Sequence, residues 1–282
     1  MPIRRLPEEP ASRLAIWARR MAVFSLPVAL LAIIIERAGL LEIVPVLATF
    51  AAALAMALIA ILMAAIALVV VWRNGVEGLG AAVTAMLIGI ALLAYPAYLG
   101  VKAYRLPAIS DVTTDPIDPP RFETIARLRS REANPVAYAG LYAAQLQRAA
   151  YPEIEPLESV ANAQATYDAA MAVITKRRWQ VINTRAPQPG RRDGYIEAVA
   201  RTPIMGFRDD VVVRIRAVGQ GARVDVRSAS RYGRHDFGAN AARVKALLDD
   251  IDDIANTEKP EKPARPMKAS QPPSKPTQPA KR

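Results

Sequence analysis

Along the first hundred residues the apolar positions run on rather than alternate. Three stretches, roughly residues 21–35, 44–72 and 79–101, contain no Asp, Glu, Lys, Arg or His. A bilayer core takes about 20 apolar residues as helix, because a spanning backbone must satisfy its hydrogen bonds internally. Three transmembrane helices are therefore expected. The first stretch has 15 uncharged residues and reaches span length by recruiting Ile16 and Trp17, with Arg19 and Arg20 extending to the headgroups. Trp17, Trp72, Tyr95, Tyr98 and Tyr104 fall near the span ends, where amphipathic rings settle. Ala53, Ala57, Ala60 and Ala64 form a small-residue seam, expected to pack among the chain's own three helices rather than between two copies. A cleaved signal peptide fits the first stretch poorly, since Glu36–Leu40 offers no small-x-small site and another span follows.

The pattern changes at Lys102. Leu106 to Phe122 holds prolines at 107, 116, 119 and 120 among Asp and Thr, and reads as extended, turn-rich connection. A second loop runs from Tyr151 to Pro156. From about Asn162 to Arg177, Tyr167, Ala170, Met171 and Ile174 fall on one helical face. Strand patterns follow at Trp179–Thr184, Gly194–Thr202, Phe207–Ala217 and Ala222–Ser230. Gly219-Gln220 suits a two-residue type II′ turn, which would set Val218 opposite Gly221 and Arg214 opposite Asp225. Val211, Val213, Ile215, Val224 and Val226 then share an inner face. Arg208, Asp210, Arg214, Arg216, Arg223, Asp225, Arg227 and Arg231 share an outer one, expected to be wetted. A last helix, about Ala239–Ile254, buries Val244, Leu247, Leu248 and Ile251.

The expected architecture is thus an α-helical membrane module of three transmembrane helices followed by an α+β domain, about a four-stranded antiparallel sheet with helices packed on one face. The divisions are 1–103 for the N-terminal tail and membrane module and 104–160 for an extended Pro-rich linker and domain entry. The α+β domain takes 161–254, and 255–282 is a disordered basic tail, too poor in large apolar side chains to offset its ordering entropy.

Charge and composition narrow the function. The 282-residue chain has a net charge of +11 and no cysteine, which excludes disulfides and thiolate chemistry. Its single histidine, His235, excludes a multi-histidine metal site; no metal and no cofactor is expected. Much of the basic excess flanks the spans or lies in the tail, where it sets topology and meets anionic lipid or a cell-envelope polymer, so nucleic acid is not the expected partner. Arg4, Arg5, Arg13, Arg19 and Arg20 precede the first span, and the connection after it is less basic. The N-terminus is therefore read as cytoplasmic, and three crossings of a bacterial inner (plasma) membrane carry the domain out of the cytoplasm. Spans without ionisable groups argue against transport.

Three segments carry a resemblance. Asp111-Val-Thr-Thr-Asp-Pro116 with Pro119-Pro120, Thr202-Pro-Ile-Met-Gly-Phe-Arg-Asp-Asp-Val211, and Arg227-Ser-Ala-Ser-Arg-Tyr-Gly-Arg-His-Asp-Phe-Gly-Ala-Asn240 together resemble the bacterial domain-of-unknown-function family 1499 over roughly 105–253. The resemblance implies a membrane-anchored protein and no particular activity. It places Ala241 where the family usually has Arg after the motif's Asn.

Within these segments Arg227, Ser228, Ser230, Arg231, Asp236 and Asn240 are candidates for an anion or ligand site, because the arginines and the start of the last helix attract phosphate or carboxylate. Asp209 and Asp210 are candidates for a structural network with Arg231, Arg227 or backbone N–H groups, or for an acid pair. Asp236 or Asn240 is expected to cap the last helix. A Ser/His/Asp triad is disfavoured, since His235 and Asp236 are adjacent and no G-x-S-x-G surrounds either serine. The expected function is an uncharacterised integral membrane protein presenting its domain for ligand or partner binding without catalysis. The alternative is a membrane-anchored hydrolase using Asp209 and Asp210 with Arg231.

Overall fold

The computed structural model describes residues 11–188, 190 and 193–257. The basic tail expected at 255–282 falls outside the described residues from 258 onward, as do the first ten residues.

Helices α1 (Arg13–Ala38), α2 (Ile43–Asn74) and α3 (Leu79–Arg105) are 26, 32 and 27 residues long, each enough to cross a bilayer. Ser12 caps α1 through its hydroxyl, and Gly39 and Gly75 close α1 and α2 in the left-handed conformation that lacks a Cβ penalty. The bundle is packed with its small residues inside. Its interior is alanine, including Ala18, Ala53, Ala57, Ala60, Ala64 and Ala85, while Phe24, Leu30, Leu62, Ile66 and Leu87 point outward. That arrangement suits lipid, where close backbone approach holds helices together and large apolar side chains lose nothing by facing the solvent. The alanine seam read from the sequence is buried within the chain. Where α2 and α3 pack, a Cβ on Gly89 would lie 2.5 Å from Ile61 and 3.0 Å from the carbonyl of Ala57.

The domain holds β1 (Asp111–Thr113), α4 (Ile125–Leu128), α5 (Leu141–Ala150), β2 (Leu157–Ser159), α6 (Ala163–Lys176), β3 (Gln180–Arg185), β4 (Gly194–Arg201), β5 (Arg208–Val218), β6 (Gly221–Ser230) and α7 (Ala239–Thr257). The four longer strands and the two longer helices lie within a few residues of their expected positions. The sheet has six strands rather than about four, in the order β1-β6-β5-β4-β3, with β2 also on β6. Both added strands come from the segment read as linker and domain entry. Each is three residues long, too short to show a period. The hairpin register is as expected, with Val218 paired to Gly221 and Arg214 to Asp225, and it sets Asp209 opposite Ser230. Gly219 takes φ 59°, and Gln220 keeps a negative φ.

Helices α6 and α7 cover the inner face, where Ile174, Ile196, Val213, Ile215, Leu247 and Ile251 form the core. The outer face departs from expectation: much of it is not wetted. Phe122 and Ile125, from the segment after β1, lie on Tyr195, Val199, Val212 and Ala229. On the same face Asp210, Asp225, Arg227 and Arg231 are buried. The alternation of charge along β5 and β6 was real, but long-range ion pairs rather than water satisfy much of it.

The domain is seated on the bundle. The β4–β5 turn inserts Met205 and Phe207 against Ala32, Val46 and Phe50. The Arg37 guanidinium donates to the carbonyls of Pro203 (2.9 Å) and Ile204 (3.2 Å), and Arg201 donates to the carbonyl of Arg37 (2.8 Å). At the opposite end of the helices Ala11 bridges Glu77, so the segment leading into α1 and the α2–α3 connection lie together, away from the domain.

Candidate functional site

The two motif carboxylates are neighbours on a strand, and a strand sends successive side chains to opposite faces. Asp209 therefore points inward, where the Arg243 guanidinium donates to it. Asp210 points outward, between Arg231 (Nε donating, 2.9 Å) and Arg129 (Nε donating, 2.7 Å). The structure does not bring Asp209, Asp210 and Arg231 to one point, as the hydrolase alternative would require. The carboxylates instead sit in separate ionic contacts on the two faces of the sheet. Arg231 serves Asp210, and Arg227 serves Asp111 through two bonds of 3.0 and 2.6 Å. Arg227 also donates to the carbonyls of Pro120 and Val136, with its faces over Phe122 and Tyr138.

The remaining motif residues tie β6 to α7. Asn240 donates to Ser230 Oγ and to the Ser110 carbonyl and accepts from Ser228 Oγ, while Arg243 donates to both Ser228 Oγ and Asn240 Oδ1. Ala241 is buried in the core, and Arg243, three residues after Asn240 on the same helical face, reaches back to the Asn240 side chain. Asp236, not Asn240, accepts from the backbone N–H groups at the start of α7, those of Gly238 and Asn240, both at 2.9 Å. Burial pushes its carboxyl above the ordinary value of 3.8, and those two donors pull the other way. His235 Nδ1 accepts from Phe237 N–H, which leaves Nε2 to donate to the Leu106 carbonyl at 3.1 Å. The imidazole thus fastens α3's exit to the motif rather than to Asp236.

Three participants escaped the sequence reading. Arg129 and Arg243 had no pattern to mark them, because their partners are far away along the chain. Glu197 did carry a signal, a carboxylate amid the apolar run of β4. It accepts from the N–H groups of Glu123, Thr124 and Ile125, holding the start of α4 on the sheet.

So the arginines and the helix start proposed for an anion are engaged inside the chain. Beside them, however, lies a cleft of about 480 Å³ that the motif borders. Its walls come from Ser110 and Asp111, the Asn134–Ala139 loop, α5 through Tyr142, Ala143 and Leu146, and Gly233–Arg234. Most of the lining is apolar. Two polar groups there are not committed elsewhere. The Tyr138 hydroxyl is buried without a hydrogen-bond partner. Burial, then the nearby Asp111, pushes it up to about 12, so it stays a neutral donor at physiological pH. Arg234 is exposed and makes no ion pair or hydrogen bond among the described residues. A larger cleft of about 780 Å³ beside the β5–β6 turn holds none of the motif residues. Among the described residues no three His, Asp or Glu side chains gather as a metal site.

A family model described as a protein of unknown function, DUF1499, matches residues 111–251. No curated protein matches the chain. A solved structure, the crystal structure of Ara h 8.0201, aligns at 9% identity over 37% of this chain and 96% of that one, with a TM-score of 0.22, a likeness too slight to bear on fold or function. The matched region takes in β1, the seated β4–β5 turn and the β6–α7 motif whose contacts build this domain, and the chain belongs to the DUF1499 family.

Proposed function

We propose that this protein uses three membrane helices to hold an α+β domain outside the cytoplasm, where the domain binds a small ligand in the cleft between β1, α5 and Gly233–Arg234. The observation that carries the reading is a contrast between neighbouring groups. The motif residues Asp209, Asp210, Arg227, Arg231 and Asp236 are engaged inside the fold, whereas Arg234, on the wall of an apolar hollow, and the buried hydroxyl of Tyr138, another residue of that wall, stand uncommitted. A hollow of this size with a few convergent polar groups is the usual form of a small-molecule site. Such chemistry supports recognition rather than bond-making.

Orientation is supported by the arginines before the first span and by the domain's place at the opposite end of the bundle from residue 11. Alkaline phosphatase fused after Thr257 should be active in cells and green fluorescent protein at the same point dark; the reverse pattern overturns the orientation. For the cleft, the full chain in micelles is melted against a small-molecule library. Compounds that raise the melting temperature of the wild type should lose that effect in Arg234→Glu and in Ala143→Trp, which fills the hollow. Stabilisation that both variants retain would place binding elsewhere.

A further inference from the structure

Resting on the cleft reading above, we infer that the ligand is a single-chain anionic amphiphile, a long-chain carboxylate drawn from the adjoining bilayer, its chain among Ile109, Ala143 and Leu146 and its head at Arg234 and Tyr138. The argument begins with position. Ala108, on the cleft wall, lies three residues beyond the end of α3 at Arg105, about 10 Å of chain at most. The cleft therefore lies close to the end of the third apolar helix.

A second hollow encloses about 800 Å³. One wall is the α1–α2 connection, with Leu40 and Leu41 69% and 56% exposed, and the other is Ser130, Arg131 and Tyr232. Both hollows share one ridge. Residues 130–134 are stitched to 230–233 by Ser130 with Tyr232 (3.3 Å), Asn134 N–H to the Arg231 carbonyl (2.7 Å) and Asn134 Nδ2 to the Gly233 carbonyl (2.7 Å). One flank of the ridge lines the hollow beside the α1–α2 connection and the other lines the cleft. Apolar surface continues on the cleft's rim, where Leu141 and Tyr142 are 81% and 74% exposed although they lie outside the bundle. Exposed apolar groups rimming a hollow mark a surface that something apolar covers.

The head is set by charge. Asp111, the carboxylate on the lining, is already neutralised by Arg227, so a cationic head would find no free partner there. A carboxylate meets the free guanidinium of Arg234 and a phenol that remains protonated. Size limits the tail, since about 480 Å³ accepts one chain and not a whole two-chain lipid.

The test uses the full chain in phosphatidylcholine nanodiscs with a diazirine-tailed palmitate, the crosslinked peptides being located by mass spectrometry. Labelling within 108–111 or 138–146 is expected, competed by oleate and reduced about tenfold in Arg234→Glu, where attraction becomes repulsion. Tyr142→Asp, an exposed change on the rim that leaves the core alone, should reduce it as well. Labelling confined to α1–α3, or unchanged in both variants, overturns the inference. If no cleft labelling occurs but water-soluble compounds still stabilise the chain through Arg234, the inference fails and the cleft reading stands; if neither occurs, both fail.

Discussion

At Arg227 the guanidinium forks onto Asp111 while Phe122 and Tyr138 cover its faces, so the side chain is both charge and packing. Removing one partner of a buried pair leaves the other charge uncompensated, which costs about 3–5 kcal/mol. Asp111→Ala should therefore lower the denaturation midpoint of the domain sharply in micelles, and Arg227→Lys should lower it as well, because an ammonium lacks the planar fork that grips Asp111. Asp236 gives a pH signature. Its folded pKa lies above the ordinary 3.8, so its contribution is fully present below that value and is lost as pH rises through the folded pKa. The stability of wild type relative to Asp236→Asn should accordingly decline with rising pH; a difference that grows would contradict this. At this scale the motif residues were legible as a cluster, but their pairings were not. Asp209 and Asp210 had separate fates because one strand step reverses the face, and Arg243 and Arg129 were fixed by contacts 34 and 81 residues away.

Among the elements, α2 and α3 meet where Gly89 lies under Ile61 and Ala57. Gly89→Ala puts a methyl into that contact and should cost about 1–3 kcal/mol as overpacking, read as a lower thermal midpoint of the bundle in detergent. The β4–β5 turn is a second joint. Met205→Asp places a carboxylate between α1 and α2, and limited proteolysis should then release the domain faster while its isolated fragment keeps its melting behaviour. The longer strands and helices were readable because their periods persist over six residues or more. β1 and β2 were not, since three residues carry no period, and both exist through pairing with β6.

For the whole molecule, the membrane-type packing of the bundle and the seating of the domain fix one end of the helices to the sheet. The sequence by itself determined the three long apolar helices, the α+β class, the hairpin register and the inner face, because apolar run length and local periodicity are properties of neighbouring residues. Only the tertiary structure decided that the outer face is covered, which arginine serves which carboxylate, how Met205 and Phe207 lock the domain to the bundle, and that a cleft opens beside Arg234. Those outcomes depend on segments far apart along the chain, such as Asp111 and Arg227, whose meeting leaves no local pattern.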